Sequence, residues 1–314
     1  MKNNSPVILD DFLNYLLVVK GKSVNTLKEY KLDLINFFKF ILKHKNLKIA
    51  LHKIDLELIK NISLSDMYAY MNFIKIERLN NASTRNRKTA SLRTFYNYLS
   101  KVNIIDKNIT LELESPKIPR RNPTYLNFQE SKQLLDNIDS NHKFFSRDYC
   151  IIILFLNCAL RLSELCSINL KDIDWENNTL NIIGKGDKER IIYLNNAVID
   201  SIKKYLEDRS SYKINSKNKD ALFISSQGKR ISNRAVQLII KKYSNIFDKN
   251  ITPHKLRHTS ATLMFKYGKI DIRTLQKVLG HENISTTQIY THVDDEGIKN
   301  AFDSNPLNSK KPSH

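Results

Sequence analysis

The chain has 314 residues, enough for two domains that each bury their own core. It carries 51 Lys plus Arg against 32 Asp plus Glu, a formal net charge of +19, while 41% of its residues are hydrophobic. That mixture excludes a disordered acidic chain and points to a folded protein that seeks polyanions, nucleic acid before an anionic membrane. Residues 1–120 hold 21 Lys/Arg and 11 Asp/Glu, net +10, which leaves +9 for the remainder. Both parts are therefore basic, which suits two domains gripping one long polyanion.

In chain order, residues 9–19, 24–43, 63–79 and 83–100 repeat apolar positions every three to four residues, with Ser or Asn at plausible starts. This predicts a helical bundle. The stretch LELESPKIPRRNPTYLN (111–127) gathers Pro116, Pro119 and Pro123 among basic residues and marks an interdomain linker. Helices are then expected at 128–140 and 146–165. TLNIIGKGDKERIIYLN (179–195) switches to β-forming residues on both sides of a Gly-Lys-Gly-Asp turn and predicts a hairpin. Helical periodicity returns at 196–207, 232–245, 254–267 and 271–279, and Ser285 with Gln288 forms a capping-box spacing for a short helix carrying Tyr290.

The expected fold is mainly α in two domains: an N-terminal helical bundle (1–112), a linker (113–123), and a C-terminal mixed α/β domain (124–292), mostly helical with a small antiparallel sheet. A tail follows at 293–314. Its apolar residues Val293, Ile298, Ala301, Phe302 and Leu307 are more than a disordered end needs. Cys150, Cys158 and Cys166 have neither CxxC spacing nor a secretory leader beside them, and are expected to be reduced core residues of a cytoplasmic protein. The run CIIILFLNCAL (150–160) is too short to span a bilayer, so no membrane association is expected.

Several residues carry chemistry. In ALRLSEL (159–165), Arg161 and Glu164 are expected to pair on one helix face. Lys185 lies between two glycines that let the backbone approach another molecule closely, and Lys188 and Arg190 offer further phosphate contacts. In TPHKLRH (252–258), Thr252 can cap and Pro253 suits the first helical position, which places His254 and Arg257 on one face at a helix N-terminus, a natural anion site. His254 and His258 are four apart, but HExxH is not met because Lys255 stands where the glutamate would be, so no metal is expected. Gly280 is a good helix terminator and turns His281 outward. Two arginines that can grip phosphate oxygens bidentately, a lysine, two histidines and a tyrosine able to act as nucleophile are what metal-free phosphodiester cleavage needs.

Arg161 in ALRLSEL, Lys185 in GKGDKER, His254 and Arg257 in HKLRH, His281 in LGH and Tyr290 in IYTHV together closely resemble the tyrosine recombinases, and within them the Xer-type and related integrases. SVNTLKEYKLDLINFFKF (23–40) and STRNRKTASLRTFYNYL (83–99) resemble that family's N-terminal, SAM-like core-binding domain. The resemblance implies that Tyr290 attacks a scissile DNA phosphate to form a 3′-phosphotyrosyl bond and release a 5′-hydroxyl, with no cofactor. It further implies that Arg161 and Arg257 hold the non-bridging oxygens, that Glu164 steadies Arg161, and that His281 donates to the phosphate. His254 is the candidate base and Lys185 the candidate acid. Arg85, Arg87, Lys88 and Arg93 lie along one predicted helix and are expected DNA contacts of the N-terminal domain.

The implied partner is double-stranded DNA with paired half-sites, held by a homotetramer or by a heterotetramer with a related recombinase. The tail would dock on the neighbouring subunit. Chromosome or plasmid dimer resolution is the expected role, favoured by a short N-terminus without an added arm-binding domain. The alternatives are the integrase of a phage or mobile element and, in a different class, a catalytically inactive DNA-binding regulator.

Overall fold

In a computed structural model, the described residues are 5–114, 124–184, 189–268, 270–280 and 287. The chain divides into two compact units, 1–121 and 122–314. Residues 115–123 of the expected linker and the whole expected tail lie outside the described residues.

The first unit contains helices α1 (Val7–Val18), α2 (Val24–His44), α3 (Leu56–Lys60), α4 (Leu64–Ile76) and α5 (Ala82–Lys101). Their starts follow local hydrogen-bond chemistry. Ser23 and Asn81 accept backbone N–H groups from Thr26 and Thr84, and Ser63 with Asp66 forms a reciprocal capping box. Leu9, Phe12 and Leu16 of α1 meet Phe37, Phe38 and Ile41 of α2, and Met67, Tyr70, Phe95 and Leu99 close the core. Burying these large side chains, each worth about 1.5–3 kcal/mol, holds together a unit whose surface is strongly basic.

The second unit holds α6 (Phe128–Asp136), α7 (Phe145–Cys158), α8 (Leu162–Ser167), β1 (Ile173–Asp174), β2 (Thr179–Ile183), β3 (Glu189–Tyr193), α9 (Asn196–Ser210), α10 (Asn233–Tyr243), α11 (Pro253–Gly268) and α12 (Ile272–Leu279). The strands form one antiparallel sheet in the order β1-β2-β3, with Leu180 opposite Ile192 and Ile182 opposite Arg190. The hairpin is where the alternation placed it. The two-residue strand β1 escapes the sequence because it is too short to show a period.

The central element is α7. Its residues Cys150 to Leu156 are all buried, and it packs against α6, α9, α10 and α11. All three cysteines are free and buried; burial pushes the Cys150 and Cys158 thiols up to about 12 and that of Cys166 to about 11, so they behave as apolar core residues. Among the described residues no helix is long and apolar enough to cross a membrane.

One prediction needs correction: residues 146–165 are not one helix. It breaks after Cys158, where Ala159 adopts a left-handed conformation with φ +48°, and resumes at Leu162. Ala159 is fully buried, so packing against Ala261, Leu275 and Leu279 outweighs the local strain of a left-handed non-glycine residue.

Candidate active site

The break at Ala159 decides how Arg161 is presented. Arg161 becomes the extended N-cap residue of α8, and Glu164 stands at the third helical position. The Glu164 carboxylate reaches back to accept the Arg161 backbone N–H at 2.7 Å through Oε2, while the Arg161 guanidinium donates to Oε1 at 2.7 Å. The expected pairing is present, but through cap geometry rather than a shared helix face.

Two further arginines converge on the same carboxylate. Arg190 donates from Nη1 to Oε1 and from Nη2 to Oε2, each at 2.8 Å, and Arg257 Nη1 lies 3.8 Å from Oε2. Arg190 is thus not an outward phosphate contact of the hairpin. Strand alternation puts it on the same face as the buried Ile192, pointing inward. Burial of Glu164 disfavours its charge, but hydrogen bonds from Arg190, the Arg161 backbone and the Arg161 guanidinium outweigh that and bring the carboxyl down to about 2. At neutral pH one negative charge therefore faces three positive ones. The cluster keeps a surplus of two positive charges, an arrangement built to receive an anion.

The arginines also fix the end of α12. Arg257 Nη1 donates to Ala159 O at 2.7 Å and its Nη2 donates to Leu279 O, while Arg161 Nη2 donates to Gly280 O at 2.9 Å. Gly280 closes α12 with φ +60°, as its sequence position predicted. A Cβ there would stand 3.5 Å from Arg190 Nη1 and 3.7 Å from Arg161 Nη1, ordinary contact distances, so it is the left-handed backbone and not a lack of space that favours glycine. At the start of α11, Thr252 Oγ1 accepts the Lys255 N–H at 3.3 Å, and Pro253 opens the helix. His254 is exposed on that first turn and shares a cleft of about 360 Å³ with Arg161 and Arg257. Three of the six expected catalytic residues are thereby brought together. Lys185, His281 and Tyr290, together with Lys188, lie outside the described residues.

In the N-terminal unit, the basic residues of α5 do not form one open face. Arg85 donates to Asn80 O at 2.7 Å, and Arg93 donates to the carbonyls of Thr110 and Leu113. Arg87 and Lys88 both bond Asp33 of α2, and Lys88 is buried. Sequence reading passed over Asp33, although its place among Leu34, Phe37 and Phe38 on the apolar stripe of α2 was a visible signal.

Residues 124–297 match the model of the Phage integrase family, and residues 9–102 match its N-terminal SAM-like domain. The chain belongs to the phage integrase family. Within that family it is a tyrosine recombinase of the Xer type, an enzyme class that cleaves and rejoins DNA at specific sites. It is 51% identical to the tyrosine recombinase XerC of Caldanaerobacter subterraneus subsp. tengcongensis, over 97% of this chain and 88% of that one. It is 33% identical to the tyrosine recombinase XerD of Oceanobacillus iheyensis, over 94% and 97%. Among solved structures, XerA recombinase is similar at 27% identity and TM-score 0.51, covering 97% of this chain and 98% of that one. A post-cleavage complex of XerH bound to a palindromic difH substrate shares the fold at 22% identity and TM-score 0.69, covering 97% and 98%.

One turn beyond His254 on α11, His258 is buried with its ring edge-on to Tyr125. Burial first, and then the charge of His254, lowers its pKa from 6.5 to about 4. Below pH 6.5 the unfolded chain takes up a proton that the folded chain refuses. Stability is therefore complete above 6.5 and falls by up to about 1.4 kcal/mol per pH unit as the pH drops toward 4. Urea unfolding at pH 7.5, 6.0 and 5.0 should show this slope in the wild type and a flatter one in His258→Gln. An unchanged slope in the variant would remove His258 as its source.

Proposed function

We propose that this chain cuts and rejoins DNA through a 3′-phosphotyrosyl intermediate formed by Tyr290. The observation that carries the reading is the convergence of Arg161 and Arg257 on one buried carboxylate and on the successive carbonyls of Leu279 and Gly280, the residues that lead directly into His281. In this reading the two guanidinium groups hold the non-bridging oxygens, where planar forks match the phosphate better than ammonium groups would. A phosphodiester carries one negative charge and gains another as the phenolate adds, and the surplus charge of the arginine cluster is suited to that increase. A phenol has a pKa near 10 and needs a base or a strongly positive site to react at neutral pH. His254, exposed beside both arginines, is that base. Lys185 protonates the departing 5′-oxygen, and His281 donates to the phosphate.

Glu164 and Arg190 act behind these groups, the one holding Arg161 in its cap position and the other keeping Glu164 ionised. Lys188 and the exposed Arg87 supply further DNA contacts, and Arg85, Lys88 and Arg93, held by Asn80, Asp33 and the Thr110 and Leu113 carbonyls, shape the basic surface around Arg87. The working assembly is a tetramer on two DNA sites with paired half-sites, made of identical chains or of this chain with a related recombinase. Its role is resolution of chromosome or plasmid dimers in the cytoplasm; the 51% identity to a XerC supports this over integration of a mobile element.

Tyr290→Phe removes only the hydroxyl, so duplex binding should persist while the covalent adduct on nicked DNA disappears; adduct formed at the wild-type level would refute the nucleophile. Lys185→Ala should slow cleavage of ordinary DNA by roughly 10²–10⁴-fold, the scale of lost general-acid help. A 5′-bridging sulfur leaves without a proton, so that substrate should restore most of the rate, and an equal defect on both substrates would make Lys185 a phosphate ligand only. Ending the chain after Asp294 should leave binding of one protomer to a half-site intact and abolish cooperative filling of full sites. Unchanged cooperativity in a gel-shift titration would show that the tail does not join subunits.

A further inference from the structure

Helix α2 carries an acid where its apolar stripe should continue. Asp33 is 3% exposed and lies among Leu34, Phe37 and Phe38. Its Oδ1 accepts from Lys88 Nζ at 3.1 Å and from Arg87 Nη2 at 3.0 Å, and its Oδ2 accepts from Ser91 Oγ at 2.8 Å and from Arg87 Nη1. A buried carboxylate is costly unless satisfied in this way. If stability alone were the requirement, an apolar residue against apolar partners would serve as well. The arrangement does something an apolar contact cannot: it fixes where two cations stand.

Those cations open onto a cleft of about 780 Å³ lined by α2, the end of α4 and the first turns of α5. Lys39, Lys43 and Arg78 are exposed on its walls and Glu77 is the acid among its lining residues, so the cleft is strongly cationic. The Arg87 side chain is 44% exposed although both of its terminal nitrogens bond Asp33. It is therefore held rigid while still facing solvent. Long basic side chains ordinarily lose rotamer freedom when they bind; here part of that ordering is already done.

We propose that Asp33 is a positioning residue for DNA recognition: it clamps Arg87 and Lys88 so that the cleft of the N-terminal unit meets the DNA with preset geometry. The proposal rests on the reading that this unit grips DNA. It makes two effects of opposite sign separable. Losing the clamp weakens binding that depends on register, whereas losing a negative charge strengthens the attraction common to all phosphate backbones.

The test uses the full-length chain, a duplex selected by the wild type from a randomised pool, and a scrambled duplex of equal length and composition. Asp33→Asn should weaken binding to the selected duplex by roughly five- to tenfold, the scale of one misplaced contact, and leave binding to the scrambled duplex unchanged or tighter. Equal weakening on both duplexes, or none on the selected one, overturns the proposal. Leu99→Val, a mild core truncation on the same helix, controls for lost stability: it should lower the unfolding temperature without changing selectivity between the duplexes. If its selectivity falls in step with that temperature, Asp33 is purely structural. Arg87→Ala distinguishes the underlying reading: if it leaves selected-duplex binding intact, the N-terminal cleft does not grip DNA. If Arg87→Ala weakens binding and Asp33→Asn does not, only the clamp is refuted.

Discussion

The catalytic unit depends on one carboxylate. Three guanidinium groups brought close without a counterion would repel one another, and burying any of them would be prohibitive. Glu164, buried and held ionised, makes the assembly tolerable: it accepts from Arg161 and Arg190 and attracts Arg257. One acid under three bases satisfies the buried charge and still leaves the cleft positive. A second acid at the same place would halve that surplus.

The cluster is also a mechanical joint. It links α8, β3, α11 and the end of α12, adding a polar tie to the apolar contacts that Ala159, Ala261, Leu275 and Leu279 already make. Because Arg161 and Arg257 donate to Gly280 and Leu279, the guanidinium groups that line the cleft also hold the end of α12. Anything that shifts the end of α12 must then disturb these guanidinium groups, a coupling carried by hydrogen bonds rather than by a general notion of rigidity.

The same physical device recurs in the N-terminal unit, where Asp33 on α2 takes Arg87, Lys88 and Ser91 of α5. In a chain of net charge +19, cations are abundant and acids are scarce. A buried acid is therefore the economical way to order a few bases among many, since each one organises two or three partners while removing only one charge from the field that draws in DNA.

Much of this was legible in the sequence, because it depends on short-range rules. Apolar spacing located the longer helices but not the five-residue α3, cap residues marked the starts of α2, α5 and α11, alternation around Gly-Lys-Gly-Asp located the hairpin, and Gly280 marked the end of α12. The motifs around Arg161, Lys185, His254, Arg257, His281 and Tyr290 were sufficient to name the family. Tertiary structure alone decided the break at Ala159, the inward turn of Arg190, the tethering of Leu279 and Gly280, and the clamp at Asp33. The reason is range: Arg190 and Glu164 are 26 positions apart, Arg161 and Gly280 119, and Asp33 and Lys88 55. Local periodicity records which face a side chain occupies, but only the folded core determines which distant partner it meets there.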